Sequence, residues 1–313
     1  MKRREVIKRT SLGLASIAGF GQLPVTVFAK KPNLEVQKRK VYLFSKHLQW
    51  VGYDEMAKIT ADIGFDGLDL TVRPNGHVEP EYVERELPKA VEAAQKNGLE
   101  IKMITTSIKD ADDNYTERIL KTASELGIKF YRLGWYDYDF TISIPENIKK
   151  FGEALKKIGE LNAKYSIIGD YQNHAGTSGG SPVWDIYSML EQAGSTWLGA
   201  QYDIRHAMVE GMNSWPIGLR LLKPFIHTID IKDFVWEKID GKWTIQNVPL
   251  GKGAVDFKSY FSLLNELNID APICVHLEYP LGGADHGNFE ITIPRNEVIQ
   301  AMSADLSYLK SVM

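Results

Sequence analysis

The stretch "ADIGFDGLDL" (61–70) contains a structural unit that recurs along the chain: the end of a helix, a glycine, one apolar residue and then a strand. Gly64 can adopt the left-handed conformation that closes a helix, and the residues after it have the pattern of a buried strand. The stretch "ASELGIKFYRLG" (123–134) repeats the same order of elements. Two copies of this unit predict a fold in which helices and strands alternate.

Eight short runs rich in β-branched and aromatic residues occur along the chain, and a helical pattern follows each of them. The runs predicted as strands are 40–45, 67–72, 100–106, 129–135, 165–172, 197–203, 225–233 and 271–278. Strict alternation of eight strands with eight helices is typical of a (β/α)8 TIM barrel, an α/β fold of a single domain. The alternative is an open doubly wound sheet, but no G-x-G-x-x-G motif follows the first strand.

Residues 1–29 have the composition of an export signal. A basic head precedes a short apolar stretch and a small residue at Ala29, and Arg3-Arg4 with the residues after them matches a twin-arginine signal. The apolar stretch is shorter than the roughly 18 residues of a membrane span. We therefore predict an exported, periplasmic protein whose barrel covers residues 30–313, without stable membrane insertion after processing. An amphipathic or disordered tail is the alternative.

The charge and the cysteine content exclude several classes of protein. Removing residues 1–29 takes five Lys or Arg and one Glu from totals of 37 and 40, so the net charge falls from −3 to about −7. A mildly acidic chain has no long-range attraction for nucleic acid, and no such partner is expected. Cys274 is the single cysteine of the sequence. No internal disulfide can form, and the apolar run around Cys274 indicates a buried thiol.

Polar residues occupy positions at the ends of strands five to eight where a barrel interior normally holds Val, Ile or Leu. In "TIDIKDF" (228–234), period-two alternation places Asp230 and Lys232 on one face and the isoleucines on the other. The positions of this kind are Asp170, Gln172, His174, Gln201, Asp203, His206 (in the loop after strand six), Asp230, Lys232, His276 and Glu278. Burying polar groups is costly unless they are satisfied, so this end of the barrel is predicted to hold a metal site or a metal-free network of ion pairs.

Four motifs in the second half of the chain resemble those of the xylose-isomerase-like TIM barrel superfamily, which includes sugar phosphate isomerases and epimerases. They are D-x-x-H at Asp203–His206, Lys-Asp at Lys232–Asp233, "PLGKGAVDF" (249–257) and the strand-eight glutamate of "VHLEY" (275–279). The resemblance covers most of residues 40–312. It implies a divalent metal ion held by Glu, Asp, His and Glu from strands five to eight. Two of these positions match, at Asp203 and Glu278.

Two of the implied metal ligands differ in this sequence: Gln172 stands where the family has glutamate, and Asp230 stands where it has histidine. The formal charge of the set stays at −3, because the aspartate restores the charge that the glutamine lacks. An all-oxygen set of Gln172, Asp203, Asp230 and Glu278 favours Mn²⁺ or Mg²⁺ as the cofactor, with Zn²⁺ and Ca²⁺ as alternatives.

Gln172 cannot act as a base, because an amide has no accessible protonation equilibrium. Single-base chemistry by Glu278 is therefore expected, with His206 or His174 as a second proton carrier and Lys232 stabilising oxyanion charge. The predicted function is metal-assisted removal of a proton next to the carbonyl of a free sugar or sugar derivative, as in an isomerase or epimerase. A lyase or hydratase acting on 3-keto-glycosides and a non-catalytic carbohydrate-binding barrel are the alternatives.

The predicted partner is a small-molecule carbohydrate. The candidates for binding it are Arg73, Trp135, Tyr136, His276 and His286. Arg73 could hold a hydroxyl, phosphate or carboxylate, although a salt bridge to a neighbouring loop explains it equally well. Aromatic rings can stack on the apolar face of a sugar, but they also cover barrel mouths through packing alone. Export argues against a sugar phosphate as the substrate, and the sequence leaves the oligomeric state unknown.

Overall fold

The computed structural model describes residues 39–313, which form a closed barrel of eight parallel strands and one additional hairpin. The strands are β1 (Val41–Phe44), β2 (Gly67–Thr71), β3 (Glu100–Thr105), β4 (Phe130–Arg132), β5 (Ile168–Gln172), β6 (Leu198–Asp203), β7 (Ile226–Ile231), the hairpin strands β8 (Asp233–Ile239) and β9 (Lys242–Val248), and β10 (Ile273–Val275). Barrel strands pair in chain order, and β10 closes the barrel between β7 and β1. The predicted (β/α)8 TIM barrel and its eight strands are confirmed.

Helices surround the barrel. They are α1 (Tyr53–Ile63), α2 (Val83–Lys96), α3 (Thr116–Glu125), α4 (Ile144–Tyr165), α5 (Val183–Ala193), α6 (Ile204–Gly211), α7 (Trp215–Leu222), α8 (Phe257–Glu266) and α9 (Arg295–Val312). Gly64 and Gly194 follow α1 and α5 with φ of 96° and 60°, the left-handed caps expected from the sequence. Ser143 and Glu146 form a capping box that begins α4.

The main hydrophobic core lies between the strands and the helices, and includes outward-facing residues such as Leu43, Leu68 and Ile104. A smaller buried cluster of Tyr42, Phe44, Met103 and Cys274 fills part of the barrel interior. The Cys274 thiol is buried, as predicted. Polar residues replace apolar ones toward the C-terminal ends of the strands, which is where TIM barrels carry their active sites.

The hairpin of β8 and β9 was not predicted from the sequence. It turns at Asp240 and Gly241, which have φ of 49° and 80°. An Asp-Gly pair between two alternating runs is a strong hairpin signal, so the sequence did contain the information. The hairpin brings Asn247 to the barrel mouth, where its side chain donates a hydrogen bond to the carbonyl of Glu278 at 3.2 Å.

Helix α6 begins directly after β6, so the expectation that His206 lies in a loop is wrong. Asp203 is the N-cap of this helix, and its Oδ1 accepts the backbone N–H of His206 at 3.1 Å. Aspartate is among the favoured N-cap residues. The D-x-x-H motif therefore has a local structural role in addition to any chemical one.

The two residues of the Lys-Asp motif after β7 point in different directions and have different roles. Lys232 points into the barrel, whereas the Asp233 carboxylate accepts the backbone N–H groups of Gly251 and Gly253 at 3.0 and 2.9 Å. Asp256 then caps α8 by accepting the backbone N–H of the residue three positions later at 3.1 Å. These contacts give the "PLGKGAVDF" motif a structural role.

The predicted export signal, residues 1–29, lies outside the described residues. The twin-arginine and localisation predictions therefore stay predictions. Within residues 39–313, no helix is both long enough and apolar enough to cross a membrane.

Candidate active site

Six side chains from four neighbouring strand ends meet inside the C-terminal mouth of the barrel, as period-two alternation predicted. This charged cluster consists of Gln172 from β5, Asp203 from β6, Asp230 and Lys232 from β7 and the residue after it, and His276 and Glu278 from the segment after β10. Five of the six are buried, and the Glu278 side chain is 23% exposed. Strand alternation also turns Asp170 inward. It is not counted in the charged cluster, because its carboxylate accepts a hydrogen bond from Thr228 Oγ1 at 2.8 Å.

Lys232 lies at the centre of one side of the charged cluster. Its Nζ is 3.1 Å from Asp203 Oδ2, 3.2 Å from Glu278 Oε2 and 3.0 Å from His206 Nε2. Burial opposes the charged form, but Asp203, Glu278 and Asp230 outweigh it and raise the pKa of Lys232. The ammonium group is therefore charged and bridges two carboxylates.

A second ammonium group contacts Glu278 where β1 and β10 pair to close the barrel. Lys46, which follows β1, places its Nζ 3.2 Å from Glu278 Oε1. Burial alone would raise the pKa of Glu278, but Lys232 and Lys46 outweigh it and hold that pKa well below its usual range. Glu278 is thus an ionised carboxylate, partly open to the barrel mouth and fixed by a cation at each oxygen.

Gln172 turns its amide nitrogen toward the carboxylates. Nε2 donates to Asp203 Oδ2 at 3.2 Å and also to Asp230 Oδ2, while Oε1 accepts from Arg132 Nη1 at 3.3 Å. The guanidinium needs an acceptor and the carboxylates need a donor, so this amide orientation satisfies both sides. A glutamate at this position would face two carboxylates without a proton to share.

Four of the buried polar atoms without hydrogen-bond partners lie on the other side of the cluster. They are Asp69 Oδ1, Asp230 Oδ1 and both ring nitrogens of His276. His276 Nε2 lies 3.4 Å from Asp230 Oδ1, and the donor atoms of Asp69, Cys274 and His276 lie within 4.8 Å of one another. Native proteins rarely leave buried polar atoms unpaired. Carboxylate, imidazole and thiol together form a donor set for a divalent cation.

This distribution tests where a divalent ion fits. Asp203 and Glu278 each pair with Lys232, and Gln172 presents N–H groups rather than a ligand oxygen. An ion fits the unpaired atoms of Asp69, Asp230 and His276 better than the four-residue set expected from the sequence. Burial favours a neutral His276 ring, but Asp230 raises the pKa of this histidine, so a proton on the ring competes with a metal ion.

The two histidines predicted as proton carriers are both neutral at pH 7. Burial and Lys232 lower the pKa of His206 well below its ordinary value and that of His174 to about 4. The Nδ1 of His206 accepts the backbone N–H of Ala175 at 3.1 Å and lies 3.0 Å from Arg205 Nη1. His206 therefore positions Lys232 in this structure, and a proton-carrier role stays a prediction for both histidines.

The predicted substrate-binding residues separate into three environments. Trp135 packs on His174, and its indole N–H donates to the Gln172 carbonyl at 3.2 Å. Tyr136 stacks on Phe151 and donates its hydroxyl to a backbone carbonyl, so it is engaged in packing. His286 is 80% exposed and contacts the neighbouring Asp285. Of the two remaining residues, His276 lies deep in the charged cluster and Arg73 lies at the rim.

Arg73 lies between two cavities on the β2–β4 side of the mouth. A cavity of about 300 Å³ is lined by Arg73, Arg132 and Trp135, and a cavity of about 770 Å³ is lined by Arg73 and His286. A ligand in the smaller cavity would contact a residue next to the charged cluster, because Arg132 lines that cavity and donates directly to Gln172.

Three site residues, Lys46, Asp69 and Arg132, were not among the candidates from the sequence. Arg132 is a single charge inside the apolar run "FYRLGW" (130–135), which is the same kind of signal that drew attention to "TIDIKDF". Lys46 follows β1 and meets Glu278 only because β1 and β10 pair when the barrel closes. The Lys46–Glu278 contact joins residues far apart in sequence, so no local sequence pattern predicts it.

Solved structures of similar fold include sugar epimerases, at identities that show the fold alone. The 3-keto-D-glucoside 4-epimerase of E. coli is 14% identical, with a TM-score of 0.65 over 88% of this chain and 100% of that chain. The D-psicose 3-epimerase of Clostridium cellulolyticum H10, solved with D-tagatose, is 12% identical, with a TM-score of 0.66 over 88% and 99%. A xylose isomerase-like TIM barrel protein from Mycobacterium smegmatis, solved with magnesium, is 13% identical, with a TM-score of 0.62 over 87% and 99%.

No curated protein matches the sequence. The family model of the xylose isomerase-like TIM barrel matches residues 57–304, which is most of the chain. This match confirms the resemblance drawn from the strand-end motifs. The chain therefore belongs to the xylose isomerase-like TIM barrel family.

Proposed function

We propose that this protein is a sugar-modifying enzyme, an isomerase or epimerase that removes a proton next to the carbonyl of a free sugar or sugar derivative. The observation that carries the proposal is Glu278, the partly exposed acid of the charged cluster, whose two oxygens each face an ammonium group. An ionised carboxylate that is open to the mouth and held in one position suits a general base. The similar folds of sugar epimerases support the same class of reaction.

In the proposed step, Glu278 takes the proton, the electron pair of the broken C–H bond forms a carbon–carbon double bond, and the carbonyl becomes an enediolate oxyanion. Negative charge leaves the carboxylate and appears on the substrate oxygen. Lys232 and Lys46 weaken Glu278 as a base in the resting site, but after the transfer they can stabilise the new oxyanion. Return of the proton to the neighbouring carbon, together with transfer of that carbon's hydroxyl proton to the enediolate oxygen, completes an isomerisation with one base at carbon.

We also propose a divalent metal ion as cofactor, Mn²⁺ or Mg²⁺, with Zn²⁺ as the alternative that Cys274 favours. Asp69, Asp230 and His276 would hold it, because Asp69 Oδ1 has no hydrogen-bond partner and His276 Nε2 lies at a long 3.4 Å from Asp230 Oδ1. When bound, such an ion supplies Lewis-acid polarisation of a substrate oxygen. The magnesium in the Mycobacterium smegmatis structure supports a divalent ion here.

A lyase or hydratase acting on an oxidised sugar such as a 3-keto-glycoside is the second candidate. Gln172 favours it, because its amide donates to two carboxylates and leaves the site without a second base. Elimination next to a carbonyl needs one base and a leaving group on the neighbouring carbon. The similar fold of the probable 3-DHS dehydratase of Bacillus anthracis supports this class.

The proposed reaction is tested by incubating free sugars and 3-keto-glycosides with the protein in D₂O and following deuterium at the carbon next to the carbonyl. Wild type is expected to catalyse exchange, and the exchange rate of Glu278→Gln is expected to be about 10²- to 10⁴-fold lower. Glu160→Gln, an exposed change in the middle of α4, is the matched control and should keep full activity. Exchange that survives Glu278→Gln removes Glu278 as the base. Sugar binding without exchange or elimination supports the carbohydrate-binding alternative.

Export to the periplasm is proposed from residues 1–29 alone. Fractionation of cells expressing the full chain tests it. Replacing Arg3 and Arg4 together by lysine is expected to retain the protein in the cytoplasm, because the paired arginines define the signal. Unchanged export of this variant contradicts the twin-arginine assignment.

A further inference from the structure

Two arginines at the barrel mouth lack the acidic partners that buried arginines normally have. Arg132 is 5% exposed, its Nη1 donates to Gln172 Oε1 at 3.3 Å, and its Nε has no hydrogen-bond partner. The guanidinium of Arg73 lies over the Phe44 ring, 5.7 Å from the centroid. Within residues 39–313, no carboxylate oxygen lies within 4.0 Å of either guanidinium.

Both arginines line the cavity of about 300 Å³ beside the charged cluster. Lys109 adds a third cation to the same wall, and Asp137 is the one acid among the lining residues. Asp137 is 82% exposed and lies 3.6 Å from Lys109, so it does not neutralise the arginines. The cavity therefore carries excess positive charge next to an apolar wall formed by Trp135.

The positive charges of the two arginines oppose each other. Burial and the nearby charge of Arg132 lower the pKa of Arg73 to about 10. Two like charges at a low-dielectric surface repel each other, and an anion between them turns that repulsion into two charge-assisted contacts.

The simplest alternative is that Arg132 only balances the acids of the barrel interior. Asp230 and Asp69 do act on its charge at longer range. That explains why a cation is tolerated at this position in β4. It leaves the unpaired Nε of Arg132 unexplained, and it does not account for Arg73, which lines both cavities.

We propose that the cavity between Arg73 and Arg132 binds a carboxylate group of the substrate, so that the preferred substrate is an acidic sugar or sugar derivative. The inference rests on the proposed sugar-modifying function and specifies its substrate class. A guanidinium fork matches a planar carboxylate through paired N–H donors. A cavity of about 300 Å³ is at the small end of ligand sites, which suits part of a single acidic sugar.

The cavity and the base lie close enough for their charges to interact, because the charge of Glu278 acts on both Arg73 and Arg132. A sugar held by its acid group at the arginines would present a carbon further along the chain to Glu278.

Calorimetric titration of the wild-type protein with matched pairs of sugars tests the proposal without requiring turnover. The pairs are D-glucuronate with D-glucose, and D-galacturonate with D-galactose, and D-glucose 6-phosphate is the third arm. The acid of at least one pair is expected to bind about 10- to 100-fold tighter than its neutral partner, the range for hydrogen bonds to charged groups. Arg73→Gln is expected to abolish most of that preference and leave the affinity for the neutral sugar within about twofold.

Three further arms keep the test specific. Arg73→Lys keeps the charge but loses the fork, so an intermediate preference is expected. Arg85→Gln removes an exposed arginine that pairs with Glu86 on α2, and it should change nothing. Thermal melts check that each variant is folded.

Equal binding of acid and neutral sugar by wild type, or binding of neither, overturns the proposal. Tighter binding of the phosphate than of either acid overturns the carboxylate assignment. Arginine-dependent binding of an acid together with no deuterium exchange for any sugar leaves the subsite standing and contradicts the proposed reaction.

Discussion

The two halves of the barrel mouth differ in whether their cationic side chains have carboxylate partners. In the half built by β5, β6, β7 and β10, Lys232 contacts Asp203 and Glu278 at 3.1 and 3.2 Å. In the half built by β2, β3 and β4, Arg73 and Arg132 have no carboxylate within 4.0 Å among residues 39–313. In the first half Lys232 is paired with acids of the protein itself, whereas the arginines of the second half have no acidic partner among these residues.

In the proposed function, the first half performs the chemistry and the second half selects the ligand. A group that must act as a base benefits from being held in place before the substrate arrives, because no reorganisation is then needed. A group that recognises an anion benefits from remaining unpaired, because a competing internal acid would have to be displaced. Single substitutions in either half test this difference.

The largest effect is expected for Lys232→Met. Removing the ammonium leaves the buried Asp203 without its cation, which should lower the free energy of unfolding by about 3–5 kcal/mol. Arg73→Met should change it by about 1 kcal/mol or less, because no carboxylate pairs with Arg73. Urea unfolding of both variants checks the contrast. Equal losses in the two variants contradict the distinction between paired and unpaired halves.

A smaller effect is expected for Gln172→Glu. The substituted side chain loses the N–H groups that now serve Asp203 and Asp230, so without metal the variant should be less stable by about 1–3 kcal/mol at pH 8. Added Mn²⁺ should recover stability in proportion to the logarithm of its concentration, because the variant restores the family's acidic ligand. If Gln172→Glu is as stable as wild type in EDTA, the Gln172 amide does not stabilise the site by donating hydrogen bonds to Asp203 and Asp230.

The smallest change within a single pH unit is expected from His77, which lies in the loop that carries Arg73. Its Nε2 is 3.2 Å from the Leu48 carbonyl, and burial lowers the pKa of His77 to about 4. Between the unfolded value of 6.5 and pH 4 the unfolded chain binds an extra proton. Stability from this group is therefore complete above pH 6.5 and is lost as the pH falls, by up to about 1.4 kcal/mol per pH unit.

Chemical denaturation from pH 8 to pH 4 measures this slope. His77→Gln should show a shallower loss of stability than wild type across the same window. Parallel curves for the two proteins indicate that His77 does not contribute. Slopes rather than absolute stabilities are compared, because the substitution also removes hydrogen bonds.

Much of the fold and the paired half of the site could be predicted from the sequence, because both depend on local patterns. Alternation in "TIDIKDF" placed Asp230 and Lys232 inside the barrel, and glycine caps marked the ends of helices. Contacts made by barrel closure could not be predicted, as with Lys46 and Glu278. Nor could the pairing within the charged cluster, because alternation places side chains on a face but does not say which of them pair.

The central claim is that Glu278 stands ready as an ionised base between two ammonium groups. The most direct measurement is the carbon-13 chemical shift of its side-chain carboxyl against pH, in wild type and in Lys46→Gln, with assignment by Glu278→Gln. The wild-type carboxyl should remain ionised from pH 8 down to its ordinary pKa of 4.5, because Lys232 and Lys46 outweigh burial and lower its pKa. Lys46→Gln should move the midpoint upward. A wild-type midpoint above 4.5, or one that does not respond to loss of Lys46, contradicts the account.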